Sequence, residues 1–179
     1  HAATGGDLVV VTVTGPLAAA SLGIGEAPRG EAFVPEDLPS AIAWHRSAQA
    51  LYLKVPADAE LDETVEVVFT GSGAQLRAHA HVVIEAAPHS RATIVLRHEG
   101  SAQFAQNVEV IVRDGANLTL VSLQRWDDDA VHAAAHQAVV GRDATLRHTV
   151  VSLGGAVMRV NPSVDLAGAG SEGKVYGLS

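Results

Sequence analysis

The chain has 179 residues, with 12 Lys and Arg against 20 Asp and Glu and a formal net charge of -8. This acidic balance argues against nucleic acid or an anionic membrane as the main partner. The absence of cysteine excludes disulfides and thiolate metal or Fe–S ligands within the segment. Apolar residues make up 47% but aromatics only 4%, so Ala, Val, Leu and Gly must fill the interior, which suits a narrow core of stacked medium-sized side chains.

In chain order, His1-Ala2-Ala3-Thr4-Gly5-Gly6 has no basic n-region and no long apolar run, and so is not read as a signal peptide. No stretch reaches the roughly 18 apolar residues that a membrane-spanning helix needs. Residues 8–13 are β-branched and predict a strand that Gly15-Pro16 ends. Residues 17–39 carry Pro28, Pro35 and Pro39 and predict loop, with one short helical turn near Ala18 to Leu22. A helix is expected from Ser40 to Ala50, capped by Ser40 and preceded by Pro39.

Leu51 to Val55 reads as a strand stopped by Pro56. In Thr64–Phe69, Val65, Val67 and Phe69 alternate against Glu66 and Val68, as in a strand buried on one side. Gly71-Ser72-Gly73 reads as a turn. From Gln75 onward only strand and turn are expected, with strands at 76–85, 92–97, 107–113, 117–123, 136–140, 145–152, 157–160, 163–166 and 174–178. Two parts follow: residues 1–50 hold a strand, a loop and a short helix, and residues 51–179 form the core.

That core contains a repeat. Pro88–Leu96, Asp114–Leu120 and Gly141–His148 each join a tight polar turn to a strand, and Gly168–Leu178 is a blurred copy. Aligned on Ala92, Ala116 and Ala144, which lie 24 and 28 residues apart, with Gly173 29 further on, the copies place Ile94, Leu118 and Leu146 in one inward set. Leu96, Leu120 and His148 follow, then His98, Ser122 and Val150, all on one face because side chains on a strand alternate with a period of two. Repeats of this length mark a solenoid whose coils bury one another's apolar faces, here an all-β parallel β-helix. An antiparallel sandwich gives no reason for the internal similarity.

Histidine is the residue with most chemical potential. His132-Ala-Ala-Ala-His136 has the spacing that places two imidazoles on one helix face, beside Asp127-Asp128-Asp129. Lacking the Glu of a zinc-protease motif and a third ligand, it is read as a polar excursion loop with solvated histidines. His79 and His81 alternate toward one face of a strand, and His98 and His148 fall on inward positions, where burial favours neutral imidazole. Asp114 and Asp143 precede equivalent alanines and are read as corner residues accepting backbone N–H bonds. Gly168-Ala-Gly170 lacks the Lys-Ser/Thr of a phosphate loop. No catalytic, cofactor-binding or metal-binding residue is assigned.

One ordered series carries a resemblance. It comprises Leu51–Pro56, Val65–Phe69, Val108–Gln124, Gly141–Ala144, Val151–Gly155, Arg159, Leu166–Gly170 and Tyr176–Leu178. Together these resemble the SufB/SufD family of the SUF iron–sulfur cluster assembly system, and more the SufD branch, given the short, divergent front segment. The resemblance implies a right-handed parallel β-helix and a non-catalytic, cytoplasmic scaffold subunit. It implies SufB-like and SufC-like ATPase partners and a cluster built on the full complex, with no cofactor in this segment. The family's cluster-associated His and its SufC-docking segment would lie beyond Ser179, so no site residue is carried over. The chain, starting without Met and stopping in mid-pattern, reads as a piece of a longer protein. Exposed ladder edges suggest a homodimer or oligomer. The rival readings are a β-helical carbohydrate-active enzyme and a polymerising structural β-solenoid.

Overall fold

The computed structural model describes residues 9–179. The reading of residues 1–6, and Leu8 of the first expected strand, lie outside them. The elements are β1 (Val9–Thr14), β2 (Ala20–Gly23), α1 (Leu38–Arg46), β3 (Gln49–Val55), β4 (Val65–Ala86), β5 (Arg91–Val112), β6 (Asn117–Trp126), β7 (Val131–Val140), β8 (Thr145–Ser152), β9 (Val157–Leu166) and β10 (Glu172–Leu178). Strand accounts for 63% of the described residues, wound as a parallel β-solenoid of about five turns.

Each coil contributes one strand segment to each of two parallel ladders. The first ladder stacks the front half of β4, the front half of β5, then β6, β8 and β10. The second stacks β3, the rear halves of β4 and β5, then β7 and β9. At the N-terminal end both ladders are closed by antiparallel strands, β1 on β4 and β2 on β3. These blunt edges that would otherwise offer free backbone groups to another chain.

The repeat resides in the corners. Asp58, His89, Gly115, Asp143 and Gly170 all adopt positive φ, between 54° and 71°. Each of the first four donates its N–H to the next coil: Asp58 to Pro88 O (3.0 Å), His89 to Asp114 O (3.0 Å), Gly115 to Arg142 O (2.9 Å) and Asp143 to Ala169 O (2.9 Å). Gly and Asp recur in this column because they tolerate the left-handed conformation.

The opposite corner is tighter. Gly71 faces Gly100, whose φ is 74°, and a Cβ on Gly100 would run into the Gly71 carbonyl oxygen. Gly100→Ala is therefore expected to destabilise the protein by on the order of 3 kcal/mol, from left-handed strain plus a backbone clash. Urea titration of the variant checks this, and an unchanged midpoint would show that the corner relaxes freely.

Several expectations are corrected. The helix runs from Leu38 to Arg46, not Ser40 to Ala50. Asp37 is the extended N-cap residue and accepts the Ser40 N–H (2.9 Å), so Ser40 occupies the third helical position and Pro39 sits in the first turn. Residues 18–22 form no helical turn, since β2 pairs there with β3. Gly71-Ser72-Gly73 stays inside β4, where the chain crosses between ladders and the break shows only as a register shift between Ser72 and Arg77. The repeat alignment holds from β6 to β8, where Leu118 pairs with Leu146. It slips by two from β5 to β6, where Ala92 pairs with Leu118 and Ile94 with Leu120, and from β8 to β10, where Leu146 pairs with Gly173. A shift of two preserves side-chain parity, so the inward faces stand although the columns change.

The interior changes character along the axis. In the first coil it is Val65, Val67, Phe69, Ala78, Ala80, Val82, Ile84 and Ala86, all buried and apolar. From β5 onward polar side chains enter the same columns.

A strap, residues 28–37, crosses the outer face of the second ladder ahead of α1. The fully buried Glu109 accepts N–H bonds from Gly30 (2.8 Å) and Ala32 (2.7 Å). Val34 N–H donates to Gln137 Oε1 (2.7 Å), whose Nε2 donates back to Val34 O (2.9 Å). Glu31 pairs with Arg113, and Asp37 with Arg159 (2.7 Å). Arg29, buried, donates to the carbonyls of Ser47 (2.7 Å), Leu22 and Ala48 (3.2 Å each), holding the strap and helix as one cover.

Candidate functional site

Four histidines share the interior. In the first ladder Phe69, His98, Gln124 and Ser152 form one column, and Val65, Ile94, Leu120 and His148 another. In the second, Ala78, Phe104, His132 and Met158 stack, as do Val82, Val108, His136 and Pro162. His132 and His136 are 0% and 1% exposed, so the expected solvated loop is a buried strand, β7. A period of two over His132, Ala134, His136 and Ala138 turns all four inward. Asp127-Asp128-Asp129 stays apart at the corner, where Asp129 accepts the Ser101 hydroxyl (2.6 Å).

Several interior groups hydrogen-bond to one another. His98 Nε2 lies 2.9 Å from Gln106 Oε1, and the His98 ring stacks on Phe69 with centroids 4.9 Å apart. Gln124 Nε2 donates to Ser122 Oγ (2.7 Å). Trp126 Nε1 and Gln124 Oε1 converge on His132 Nδ1 at 3.1 and 2.7 Å. That nitrogen serves one of them at a time, accepting the indole N–H or donating to the amide oxygen. His136 Nδ1 lies 3.1 Å from His148 Nε2 with the rings stacked, and one nitrogen donates to the lone pair of the other. His132 Nε2, His136 Nε2 and Gln106 Nε2 find no partner among the described residues.

Burial pushes His98 and His148 down to about 4. It holds His132 and His136 well below the ordinary imidazole value, and neighbouring histidines add repulsion. All four are neutral at pH 7. A neutral imidazole nitrogen is a metal donor in principle, but among the described residues no three His, Asp or Glu side chains converge on one point. These histidines pack and hydrogen-bond within the interior.

His79 and His81 do share a face, the outer one. His81 is fully buried between Phe33 and Trp44, with Nε2 3.2 Å from Glu109 Oε2, and burial lowers its pKa. His79 is only partly covered. Asp114 accepts the Arg142 N–H (2.9 Å) and pairs with its guanidinium (2.9 Å), as a corner residue should. Gly168-Ala-Gly170 makes the last corner, with no helix after it. Sequence reasoning missed Gln106, Gln124 and Glu109. The parity of their strands would have placed both glutamines inward, whereas Glu109 has an outward position that only the strap makes buried.

Comparison with known proteins bears on what this solenoid serves. Residues 69–179 match the family model described as SUF system FeS cluster assembly, SufBD core domain. An iron-sulfur cluster assembly SufBD family protein of Mycobacterium bovis is 35% identical over 176 residues, covering 98% of this chain and 44% of that protein. One from Mycobacterium tuberculosis (strain CDC 1551 / Oshkosh) shows the same identity and coverage. The counterpart in Mycobacterium leprae is 35% identical over 157 residues, 88% of this chain and 40% of its own length. The chain thus spans less than half the length of these relatives.

Proposed function

The chain belongs to the SufBD family of iron–sulfur cluster assembly proteins, and from that premise we propose that it is part of a non-catalytic, SufD-like scaffold. The scaffold would join a SufB-like subunit and a SufC-like ATPase in the cytoplasm, with the nascent cluster as cargo of the full complex. The observation that carries this reading is the SufBD core match laid over a stiff parallel β-solenoid of stacked coils.

In the full complex a SufB-like subunit would dock against this solenoid. The donor set favours cargo held elsewhere: there is no cysteine, and the four interior histidines are buried inside the coil.

The test is affinity purification of the full-length protein at native expression level. The scaffold reading expects an ABC-type ATPase and a SufB-like protein to co-purify in stoichiometric amounts. Recovery of neither sinks it. Turnover of uronate polymers by the full-length protein would move the assignment to the carbohydrate-active rival.

A further inference from the structure

The strap and α1 leave part of the second ladder's outer face open. Two outward columns run beside the helix there: Arg77, Gln103 and Val131, and His79, Ala105 and Ala133. On the helix, Leu38, Ile42 and Arg46 follow one another at intervals of four and so form a single stripe along the same depression. The depression has a volume of about 740 Å³ between α1 and the Arg77 and His79 side chains. It continues over Ala105 and Val131 as a shallower trough of about 230 Å³. Leu38 is 73% exposed, Ile42 39% and Val131 37%, which makes an apolar floor open to solvent.

The rim is cationic in an acidic protein. Among the described residues Lys54, Arg91, Arg97, Arg113, Arg142, Arg159 and Lys174 each have a carboxylate partner. Arg46, Arg77, Arg125 and Arg147 have none, and of these Arg46 and Arg77 line the groove. Arg77 Nε donates only to the Gln103 amide oxygen (3.3 Å). His45 and His79 complete the rim, and the field of Arg46 reaches His79. Two unneutralised arginines beside exposed aliphatic side chains in a chain of net charge -8 are complementary to a ligand that carries carboxylates and aliphatic groups on one face. Nucleic acid would gain from the arginines but not from the aliphatic floor, and the surrounding acidic surface would repel it.

We propose that this groove docks an acidic amphipathic helix of another protein, with its aliphatic side chains against Leu38, Ile42 and Val131 and its carboxylates on Arg46 and Arg77. This is the helix-in-groove mode, read through anchors three and four residues apart. It does not depend on the scaffold reading, because it rests on the groove's own apolar floor and cationic rim.

The probe is a pair of labelled helical peptides of about 14 residues, identical in their Leu and Ala positions and carrying either Glu or Lys on the flanks. Fluorescence anisotropy with the full-length protein is expected to show binding of the Glu peptide, weakened by salt, and much weaker binding of the Lys peptide. Arg46→Glu with Arg77→Glu should lower affinity for the Glu peptide at least about tenfold and raise it for the Lys peptide. Ile42→Ser should weaken the Glu peptide without altering the salt dependence. All three positions are exposed, and an unchanged urea midpoint confirms that the variants fold. Equal binding of both peptides, no binding of either, or no response to charge reversal overturns the proposal.

Discussion

Acidification from pH 7.5 to pH 5 is expected to remove about 4 kcal/mol of stability through His98 and His148 alone, about 2 kcal/mol from each. The folded-state values of these groups are about 4, against an ordinary imidazole value of about 6.5 in the unfolded chain. On acidification the unfolded chain therefore takes up protons first. Their contribution is fully present above about pH 6.5, is lost as pH falls toward about 4, and changes no further below. His132 and His136, also fully buried and depressed, act in the same direction and steepen the loss.

Urea unfolding followed by tryptophan fluorescence at pH 7.5, 6 and 5 measures this effect. A free energy that is flat over that range would show that the interior histidines are hydrated or already charged. His148→Leu supplies a control. Its column already holds Leu120 one coil below, so an aliphatic residue fits the shape. The variant should lose one histidine's share of the pH dependence, although it also strips His136 Nδ1 of its partner.

Glu109→Ala is expected to cost about 4 kcal/mol at neutral pH. The carboxylate is wholly buried and serves three donors: Gly30 N–H, Ala32 N–H and the His81 ring at 3.2 Å. Truncation leaves two backbone N–H groups unpaired under cover, each costing about 1–3 kcal/mol, and removes the anchor of the strap. The cover then loosens where Phe33 and Trp44 stack (centroids 6.0 Å apart) and enclose the His81 ring. Trp44 emission should shift to the red, and the strap should become a site of limited proteolysis. Glu109→Gln keeps one oxygen acceptor and should lose roughly half as much. If Glu109→Ala unfolds at the wild-type urea concentration, the strap is held by its outer pairs, Arg113–Glu31 and Gln137–Val34, and not by the buried carboxylate.

Much of the coil was readable in the chain order of small and branched residues. Ile94, Leu96, Leu118, Leu120 and Leu146 face inward as expected, because parity on a strand is a local property. The placement of His98 and His148 followed from the same parity. His132 and His136 were misread because their spacing suits a helix face as well as a strand, and the nearby aspartates suggested a solvated loop. They are buried because β7 turns them into the interior, where Gln124 and Trp126 of the same coil meet His132 and His148 of the next coil meets His136.

The sequence by itself determined the solenoid class, the tight polar corners, the inward parity of the repeat copies and the membership in the SufBD family. These depend on residue type and short-range periodicity. Only the tertiary structure decided the register between coils, since a slip of two leaves every side chain on the same face. Only it could bury Glu109 and His81, whose covering residues lie far back in the chain, and leave Arg46 and Arg77 unneutralised beside an open apolar trough. Such outcomes belong to the packing of distant segments, where one strap covers some columns of a sheet and exposes the next.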